Sequence, residues 1–325
     1  MLKRFLVIFP GALGDFICFL PALERLSGEG EVNLLARSDY SDLVPPGVRV
    51  RSLECHEISR LFAAESGRED GVARLLDSYA GVYSWLGSGD ANFVRNLQTL
   101  TNAKLGVFPF RPAPSMMHMV EYYLSCLGAE DRGEAVPSVG LKSEAVSWVE
   151  QFWRQSGLEG KKVLALSPGS GAREKNWPVQ SFQAVARWWE KERKGKLIVL
   201  FGPVEEERNE ARDFSDDWVT IRNLELAKVA ALLDRCGLYL GNDSGISHLA
   251  AALGVETFVL FGPTDPVQWA PRGRKVTVIR NAVECSPCTH SIMKACPHRK
   301  CLTQLPPEEV TGLLGNLPSF LSYSH

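Results

Sequence analysis

A group of polar side chains at residues 241–248 offers the clearest chemistry in the sequence. The segment lies between a predicted strand and a predicted helix, and its candidate ligand-binding residues are Asn242, Asp243, Ser244, Gly245 and His248. The first backbone N–H groups of a helix form a natural anion site. His248 follows Ser244 by one helical turn, so both face the same side of that helix. This density of polar groups favours a site for a phosphate-bearing ligand over a helix cap followed by a core histidine.

A second loop with the chemistry of an anion site follows the sixth predicted strand. Residues 167–171 are small or hydroxyl-bearing and leave backbone N–H groups open, and Lys175 adds a positive charge. Ser170 and Gly171 are candidate phosphate-binding residues, and Thr264, after a later strand, is a candidate for the same phosphate. The spacing differs from that of an ATPase P-loop, which is therefore excluded. A polar loop with a solvated lysine is the competing interpretation.

A carboxylate, Asp15, stands where the first predicted strand passes into the first helix. Gly11 and Gly14 allow the chain to turn tightly there and allow a ligand to approach the backbone. Asp15 is a candidate general base, and a helix-capping role fits the sequence equally well. Two glycines at this spacing do not form a GxGxxG fingerprint, so a dinucleotide site is poorly supported.

Strands and helices that alternate along the chain must position these loops. The predicted strands are Phe5–Phe9, Val32–Ala36, Val48–Leu53, Gly81–Trp85, Ala103–Val107, Val163–Leu166, Leu197–Phe201, Leu238–Gly241 and Thr257–Phe261. The predicted helices include Asp15–Leu26, Asn92–Thr101, Ser143–Gln155, Phe182–Lys194, Leu226–Cys236, Ser244–Leu253 and Pro307–Leu314. Such alternation is typical of doubly wound parallel sheets with helices on both faces. We predict two α/β domains, residues 1–157 and 158–325, with 131–140 as the competing boundary and a ligand cleft between the domains.

Length, charge and apolar content exclude several classes of protein. A chain of 325 residues is long enough for about two domains, and its net charge of −2 argues against a general nucleic-acid binder. The first apolar run is interrupted by Asp15 and Glu24 and has no small-residue cleavage site, so neither a membrane span nor a signal peptide is predicted. With 8 cysteines and no secretory signal, the expected location is the reducing cytoplasm.

Half of the cysteines fall in one short segment near the C-terminus. They are Cys285, Cys288, Cys296 and Cys301. Four thiolates at such spacing are able to close a structural zinc site, for which His290 and His298 are alternative ligands. The competing interpretations are reduced thiols in a loop and, in an oxidising compartment, disulfides.

Basic residues dominate the surrounding segment, residues 272–300. The cations are Arg272, Arg274, Lys275, Arg280, Lys294, Arg299 and Lys300, against Glu284 as the one acidic residue. This excess of positive charge is compatible with contact to an anionic lipid surface or to a phosphorylated acceptor, and equally with an ordinary solvated rim.

Taken together, the loops resemble those of the heptosyltransferase family, the ADP-heptose:lipopolysaccharide heptosyltransferases of glycosyltransferase family 9. Four blocks carry the resemblance: GALGDFICFLPAL at Gly11–Leu23, SPGSGAREKNWP at Ser167–Pro178, FGPVEEER at Phe201–Arg208, and GNDSGISHLAAALG through LFGPTDP at Gly241–Pro266. The last block is highly specific and the second is fairly specific. The resemblance spans most of the chain.

The resemblance implies a GT-B fold, with two Rossmann-like domains that bind the acceptor and the nucleotide sugar respectively. At the matching positions, Asp15 is the expected general base, and acceptor-binding residues are expected near Gly11 and Gly14. The expected donor-binding residues are Ser170, Gly171 and Lys175 at the phosphates, Glu205 at the ribose, Leu224 at the adenine, and Asp243, Ser244, Gly245 and His248 at the sugar and diphosphate. Ser244 stands where the family commonly has Thr and keeps the hydroxyl. A terminal helix that packs back on the first domain is also expected.

The function implied is inverting transfer of a sugar, most directly heptose from ADP-heptose, to a lipopolysaccharide inner-core acceptor. No cofactor is expected for catalysis, because Lys175 and two helix N-termini would stabilise the departing diphosphate. Asp216-Asp217 is interpreted as a solvated turn and not as a Mg²⁺ site. The expected partners are a nucleotide-sugar donor and a lipid-linked or phosphorylated saccharide at the inner face of the cytoplasmic membrane, without nucleic acid. The alternatives are another nucleotide sugar for a different surface polysaccharide, and a non-catalytic nucleotide-sugar-binding protein.

Overall fold

A computed structural model of the chain describes residues 3–64, 70–112, 117–129, 135–207, 214 and 218–317. The chain divides into two compact units, Met1–Gly140 and Leu141–His325. The division therefore falls at the end of the competing boundary, and not at residue 157. The physical reason is the helix Ser143–Gln155, which packs on the helix Leu226–Cys236 and so belongs to the second unit.

The first unit is built on a parallel sheet of five strands. The strands are β1 (Lys3–Ile8), β2 (Gly30–Ala36), β3 (Val48–Ser52), β4 (Gly81–Ser84) and β5 (Lys104–Val107). The helices are α1 (Leu13–Glu29), α2 (His56–Leu61), α3 (Asp70–Leu76), α4 (Ala91–Leu100) and α5 (Met119–Cys126). The order across the sheet is β3-β2-β1-β4-β5, so the winding reverses between β1 and β4. Ligands of open α/β sheets bind at such a reversal, outside the carboxyl ends of the strands.

The second unit is built on a parallel sheet of six strands. The strands are β6 (Val163–Ser167), β7 (Lys196–Phe201), β8 (Val219–Arg222), β9 (Leu238–Asn242), β10 (Glu256–Phe261) and β11 (Val276–Arg280). The helices are α6 (Ser143–Gln155), α7 (Val179–Arg193), α8 (Pro203–Glu207), α9 (Leu226–Cys236), α10 (Gly245–Ala252), α11 (Pro266–Trp269), α12 (His290–Ala295), α13 (Lys300–Thr303) and α14 (Pro307–Gly315). The order is β11-β10-β9-β6-β7-β8, so the winding reverses between β6 and β9.

All nine predicted strands are confirmed, whereas the two outermost strands of the second sheet, β8 and β11, are missed by the sequence. The central strands β6 and β9 are buried along their whole length because helices cover both faces of the sheet, which gives them continuous apolar runs. The outer strands are only partly buried, so they carry threonine and arginine between their apolar residues. A sequence with this pattern does not stand out as a buried strand.

The terminal helix α14 packs on α7 within the second unit. Val310 and Leu314 are fully buried in the core that α7 contributes to through Phe182 and Trp189. The expectation that this helix also packs back on the first domain stays a prediction. Among the described residues, no helix combines the length and the apolar content that a membrane crossing requires.

Candidate functional site

The loops that follow β6 and β9 are held together at the carboxyl edge of the second sheet. Asn242, the last residue of β9, is completely buried. Its Nδ2 donates to the carbonyl oxygen of Pro168 at 2.7 Å, and its Oδ1 accepts from the backbone N–H of Trp177 at 2.9 Å. The sequence predicts that Asn242 contacts the nucleotide-sugar donor. The structure places this side chain against the loop 168–177, where its two hydrogen bonds fix the path of the loop.

A second group of contacts, next to Asn242, joins Lys175, Asp243 and Thr264. The Lys175 ammonium lies 2.8 Å from Asp243 Oδ2, and the Thr264 hydroxyl donates to the same oxygen at 2.7 Å. The Asp243 side chain is only 6% exposed, whereas 26% of the Lys175 side chain reaches solvent. Because an ammonium group has three donors, Lys175 is held by Asp243 and still offers N–H groups to an anion. The structure thus unites candidates that follow three different strands, β6, β9 and β10.

The N-terminus of α10 opens at the same reversal of the sheet. Ser244 precedes the helix without a side-chain cap and, like Gly245, is half-buried, so the first N–H groups of the helix remain accessible. Ser247 donates to the carbonyl oxygen of Asn242 at 2.5 Å and lies 3.0 Å from the hydroxyl of Tyr239. His248 is buried. Ser247 and Tyr239, which the sequence does not single out, therefore fix the turn that presents Ser244 and Gly245.

The loop 168–177 is braced by Ser170, one of its predicted phosphate-binding residues. The Ser170 hydroxyl is buried and lies 2.7 Å from the carbonyl oxygen of Ala172 and 2.6 Å from Oδ1 of Asn176. Gly171, by contrast, is exposed and leaves room for a ligand to approach its backbone. A cavity of about 310 Å³ borders this loop, and its lining includes Asn176 and Arg299. Ser170 shapes the loop, and Gly171 and Lys175 are the members of it that reach outward.

Two further predicted donor residues follow the neighbouring strands. Glu205 lies in α8, directly after β7, and its side chain is outside the described part of the structure. Leu224 is half-buried between β8 and α9, next to Asn223, whose backbone is left-handed at φ 48°. Both positions lie at the same edge of the sheet as the loop 168–177, because the strands are parallel. Asp216-Asp217 lies outside the described residues.

Asp15 lies at the corresponding position of the first unit, in the first turn of α1 after β1. The helix cap is Ala12, so the capping role considered for Asp15 is wrong. The Asp15 side chain is 7% exposed, and Arg111 Nη2 lies 3.6 Å from its Oδ1. Arg111 is 58% exposed and follows β5, and the sequence contains no local signal that pairs it with Asp15. A buried carboxylate with one cation on its solvent side has the composition of a general-base site.

The turn before Asp15 is fixed by aromatic packing. A Cβ atom at Gly11 would lie 2.3 Å from the ring of Phe9, so this position requires glycine for packing. Tyr40 is buried, donates to the carbonyl oxygen of Gly11 at 3.1 Å and stacks on Phe16 with ring centroids 4.2 Å apart. Gly14 lies inside α1. Packing against Phe9 therefore explains the glycine at position 11, which the sequence assigns to a tight turn and to ligand approach.

The four clustered cysteines are free thiols. Burial and then the neighbouring cysteines raise the pKa of Cys288 and Cys301, so these thiols stay protonated at neutral pH. Within the described part of the chain, no group of three or more His, Cys, Asp or Glu side chains is arranged to hold a metal ion. This arrangement favours the interpretation of reduced thiols, and the zinc ion itself stays a prediction.

The same segment supports the loops of the candidate donor site. Cys288 donates its N–H to the carbonyl oxygen of Pro263 at 2.7 Å, beside Thr264. Lys294 pairs with Glu174 at 3.2 Å, and Arg299 donates to the carbonyl oxygen of Arg173 at 3.0 Å. Two of the seven cations thus brace the loop that carries Lys175. Contact of the basic segment with lipid stays a prediction.

Comparison with known proteins gives a family match over more than half of the chain. The model of glycosyltransferase family 9 (heptosyltransferase) matches residues 110–297. The lipooligosaccharide heptosyltransferase 2 of Campylobacter jejuni is 29% identical over 170 residues, which are 49% of this chain and 51% of that protein. The chain thus spans about half the length of this relative.

Solved structures share the fold over nearly the whole chain. The glycosyl transferase family 9 protein of Veillonella parvula is 19% identical over 96% of both chains, with a TM-score of 0.76. The ADP-heptose lipopolysaccharide heptosyltransferase II of Escherichia coli is 18% identical over 96% of this chain and 98% of that one, with a TM-score of 0.70. These likenesses confirm the predicted GT-B fold class with its two Rossmann-like units.

Proposed function

Since the chain belongs to glycosyltransferase family 9, the heptosyltransferase family, we propose that it transfers heptose from ADP-heptose to a lipopolysaccharide inner-core acceptor. The Lys175–Asp243–Thr264 cluster at the N-terminus of α10 is the observation that supports this most strongly. It offers an anchored cation and free backbone N–H groups to a diphosphate. The names of the Campylobacter and Escherichia proteins supply the sugar and the acceptor class.

On the donor side, the site holds and then stabilises the nucleoside diphosphate. When the bond between the anomeric carbon and the diphosphate oxygen breaks, negative charge develops on that oxygen. Lys175 and the N–H groups of Ser244 and Gly245 are fixed before the reaction, so they stabilise the charge without having to reorganise. Glu205 and Leu224 are proposed to contact the ribose and the adenine. We propose that this chemistry requires no metal ion.

On the acceptor side, Asp15 is proposed as the general base. Its carboxylate takes the proton of the acceptor hydroxyl, the hydroxyl oxygen forms a bond to the anomeric carbon, and the diphosphate leaves with the electron pair of the broken bond. A single displacement of this kind inverts the anomeric configuration and needs only one base. Arg111, whose Nη2 lies 3.6 Å from Asp15 Oδ1, places a positive charge beside this carboxylate.

The acceptor is proposed to be lipid-linked and to be met at the inner face of the cytoplasmic membrane. The exposed cations of residues 272–300, such as Arg274 and Lys275, supply the charge for an anionic surface. Binding to vesicles with and without anionic lipid measures this contribution separately from sugar transfer.

The decisive experiment measures transfer from ADP-heptose to a truncated inner-core acceptor with the wild type and Asp15→Asn. The variant keeps the shape of the side chain and removes the base, so the rate is expected to fall about 100- to 10,000-fold. Asp39→Asn is the matched control, because Asp39 is an exposed carboxylate of the same unit whose ion-pair partner among the described residues is Arg37.

Three outcomes contradict parts of the proposal. Full turnover by Asp15→Asn in the presence of an active wild type removes Asp15 from the mechanism. Tight ADP-heptose binding with no transfer to any acceptor favours the non-catalytic binding protein. Transfer of a different sugar from its nucleotide donor favours the alternative glycosyltransferase.

A further inference from the structure

The hydroxyl of Tyr123 is a buried polar group that the proposed mechanism does not use. Tyr123 lies on α5 and is completely buried. Among the described residues, its hydroxyl has no hydrogen-bond partner. A buried hydroxyl without a partner is unfavourable, so most such groups are paired in folded proteins. The unpaired donor therefore points to a ligand.

The aromatic ring of Tyr123 is held in place by three other aromatic rings. It packs edge-on against Phe9 and Phe19, with centroid distances of 5.5 Å to each, and against Trp85 at 6.1 Å. Phe9 and Trp85 follow the two strands between which the sheet reverses, and Phe19 belongs to α1. The ring is thus enclosed by the elements that build the base site, and the position of its hydroxyl is fixed by them.

The charged groups that act on this hydroxyl are those of the candidate acceptor site. Burial raises the pKa of Tyr123, and the negative charge of Asp15 raises it further, while Arg111 lowers it. Tyr123 therefore stays protonated and is a hydrogen-bond donor within electrostatic range of the carboxylate of Asp15. α1 and α5, which carry these two residues, pack directly on each other.

The loop that carries Arg111 is fixed to the same aromatic cluster. Phe110 contacts Phe9 edge-on at 5.9 Å, and the guanidinium group of Arg111 lies 5.5 Å from the centre of the Phe110 ring. The hydroxyl of Tyr122, next to Tyr123, donates to the carbonyl oxygen of Pro109. Asp15, Arg111 and Tyr123 are therefore presented by one rigid aromatic framework.

We propose that Tyr123 is an acceptor-binding residue, whose O–H donates to a neutral hydroxyl oxygen of the saccharide and so presents the reacting hydroxyl to Asp15. The proposal rests on the proposed function. The buried carboxylate of Asp15 disfavours a second negative charge near Tyr123, because like charges repel strongly in a medium of low dielectric constant. The partner of Tyr123 is therefore a sugar hydroxyl. An anionic group of the acceptor is better accommodated by the exposed Arg111.

The test compares Tyr123→Phe with Tyr40→Phe, which removes the same atom from another fully buried tyrosine of the first unit. The Tyr40 hydroxyl already has a partner, the carbonyl oxygen of Gly11, so its loss is expected to lower the unfolding temperature. Tyr123→Phe removes a hydroxyl without a protein partner and is expected to leave the unfolding temperature unchanged or raised. For this variant the KM for the truncated acceptor is expected to rise about three- to tenfold, the value of one neutral hydrogen bond. Its KM for ADP-heptose stays unchanged.

The possible results separate this proposal from the proposed function. An unchanged acceptor KM in Tyr123→Phe, with an active wild type, overturns the role of Tyr123 and leaves the function standing. A lower unfolding temperature with equal changes in both KM values shows a structural role and overturns it as well. A wild type that neither transfers heptose nor binds the truncated acceptor in calorimetry refutes the proposed function, and the Tyr123 proposal with it.

Discussion

Replacement of Asn242 by alanine is the sharpest test of how the second unit builds its site. The side chain makes two hydrogen bonds, to the carbonyl oxygen of Pro168 and to the backbone N–H of Trp177. All three residues are buried, so water does not replace the lost partners. Each buried backbone group left unpaired costs about 1–3 kcal/mol, and the variant is therefore expected to lose about 2–6 kcal/mol of unfolding free energy.

The same change is expected to weaken the binding of ADP, although Asn242 itself is not exposed to a ligand. Without the two bonds the loop 168–177 has to be ordered when the nucleotide binds. If about 1.4 kcal/mol of the binding free energy is used for this ordering, the Kd for ADP rises about tenfold. Denaturation followed by tryptophan fluorescence measures the stability, and titration calorimetry measures the Kd.

Asn96→Ala is the matched control in the first unit. The amide of Asn96 also makes two hydrogen bonds, to the carbonyl oxygens of Leu61 and Ala63 at 2.8 and 2.9 Å. Its loss is expected to reduce stability and to leave the Kd for ADP unchanged. If the unfolding free energy of Asn242→Ala lies within about 1 kcal/mol of the wild-type value, the argument from unpaired backbone groups is refuted, because two such groups predict a larger loss. If it loses stability but binds ADP normally, Asn242 does not control the loop.

Three further predictions follow from the structure. Lys175→Ala leaves Asp243 with Thr264 as its one side-chain partner within the described residues. Because Lys175 is 26% exposed, we expect a loss of about 1–3 kcal/mol in unfolding free energy and a clearly higher Kd for ADP, and Lys175→Arg should largely restore both. Arg111→Gln is expected to lower kcat/KM for the acceptor and to cost less than about 1 kcal/mol in unfolding, because the ion pair is exposed on the arginine side; an unchanged kcat/KM contradicts the role of the pair. Incubation with EDTA is expected to leave the transfer rate unchanged and metal analysis of the reduced protein to find no stoichiometric zinc; a rate that needs added Mg²⁺ refutes metal independence.

The parts of the site that the sequence predicts are those in which one short segment supplies both the turn and the chemistry. Lys175 and Thr264 are recognisable because each stands in a Gly- and Pro-containing loop directly after an apolar strand. Their convergence on Asp243 follows from a parallel sheet, in which the carboxyl ends of all strands share one edge. The zinc site, in contrast, depends on cysteine spacing alone, which does not determine where the side chains point, so it stays a prediction.

The missed features share one physical cause, which is that they depend on contacts between distant segments. Arg111 meets Asp15 because the loop after β5 packs on the aromatic cluster at the reversal of the sheet. The assignment of α6 to the second unit depends on its packing against α9, which no boundary signal in the sequence reports. The strands β8 and β11 are missed because an edge strand needs no continuous apolar run.

The two halves of the proposed reaction are therefore supported by observations of different kinds. The proposed phosphate- and sugar-binding residues of the donor site, from Ser170 to Thr264, lie inside the stretch matched by the family model, residues 110–297. Asp15 lies outside that stretch, so its role depends on the geometry of the first unit: a buried carboxylate, a cation on its solvent side and a buried phenol nearby. A variant that removes the charge of Asp15 without changing its shape is consequently more informative about this chain than any variant of the donor loops. The donor loops would bind a nucleotide sugar whether or not transfer follows, whereas Asp15 has a role only if a proton is removed from an acceptor.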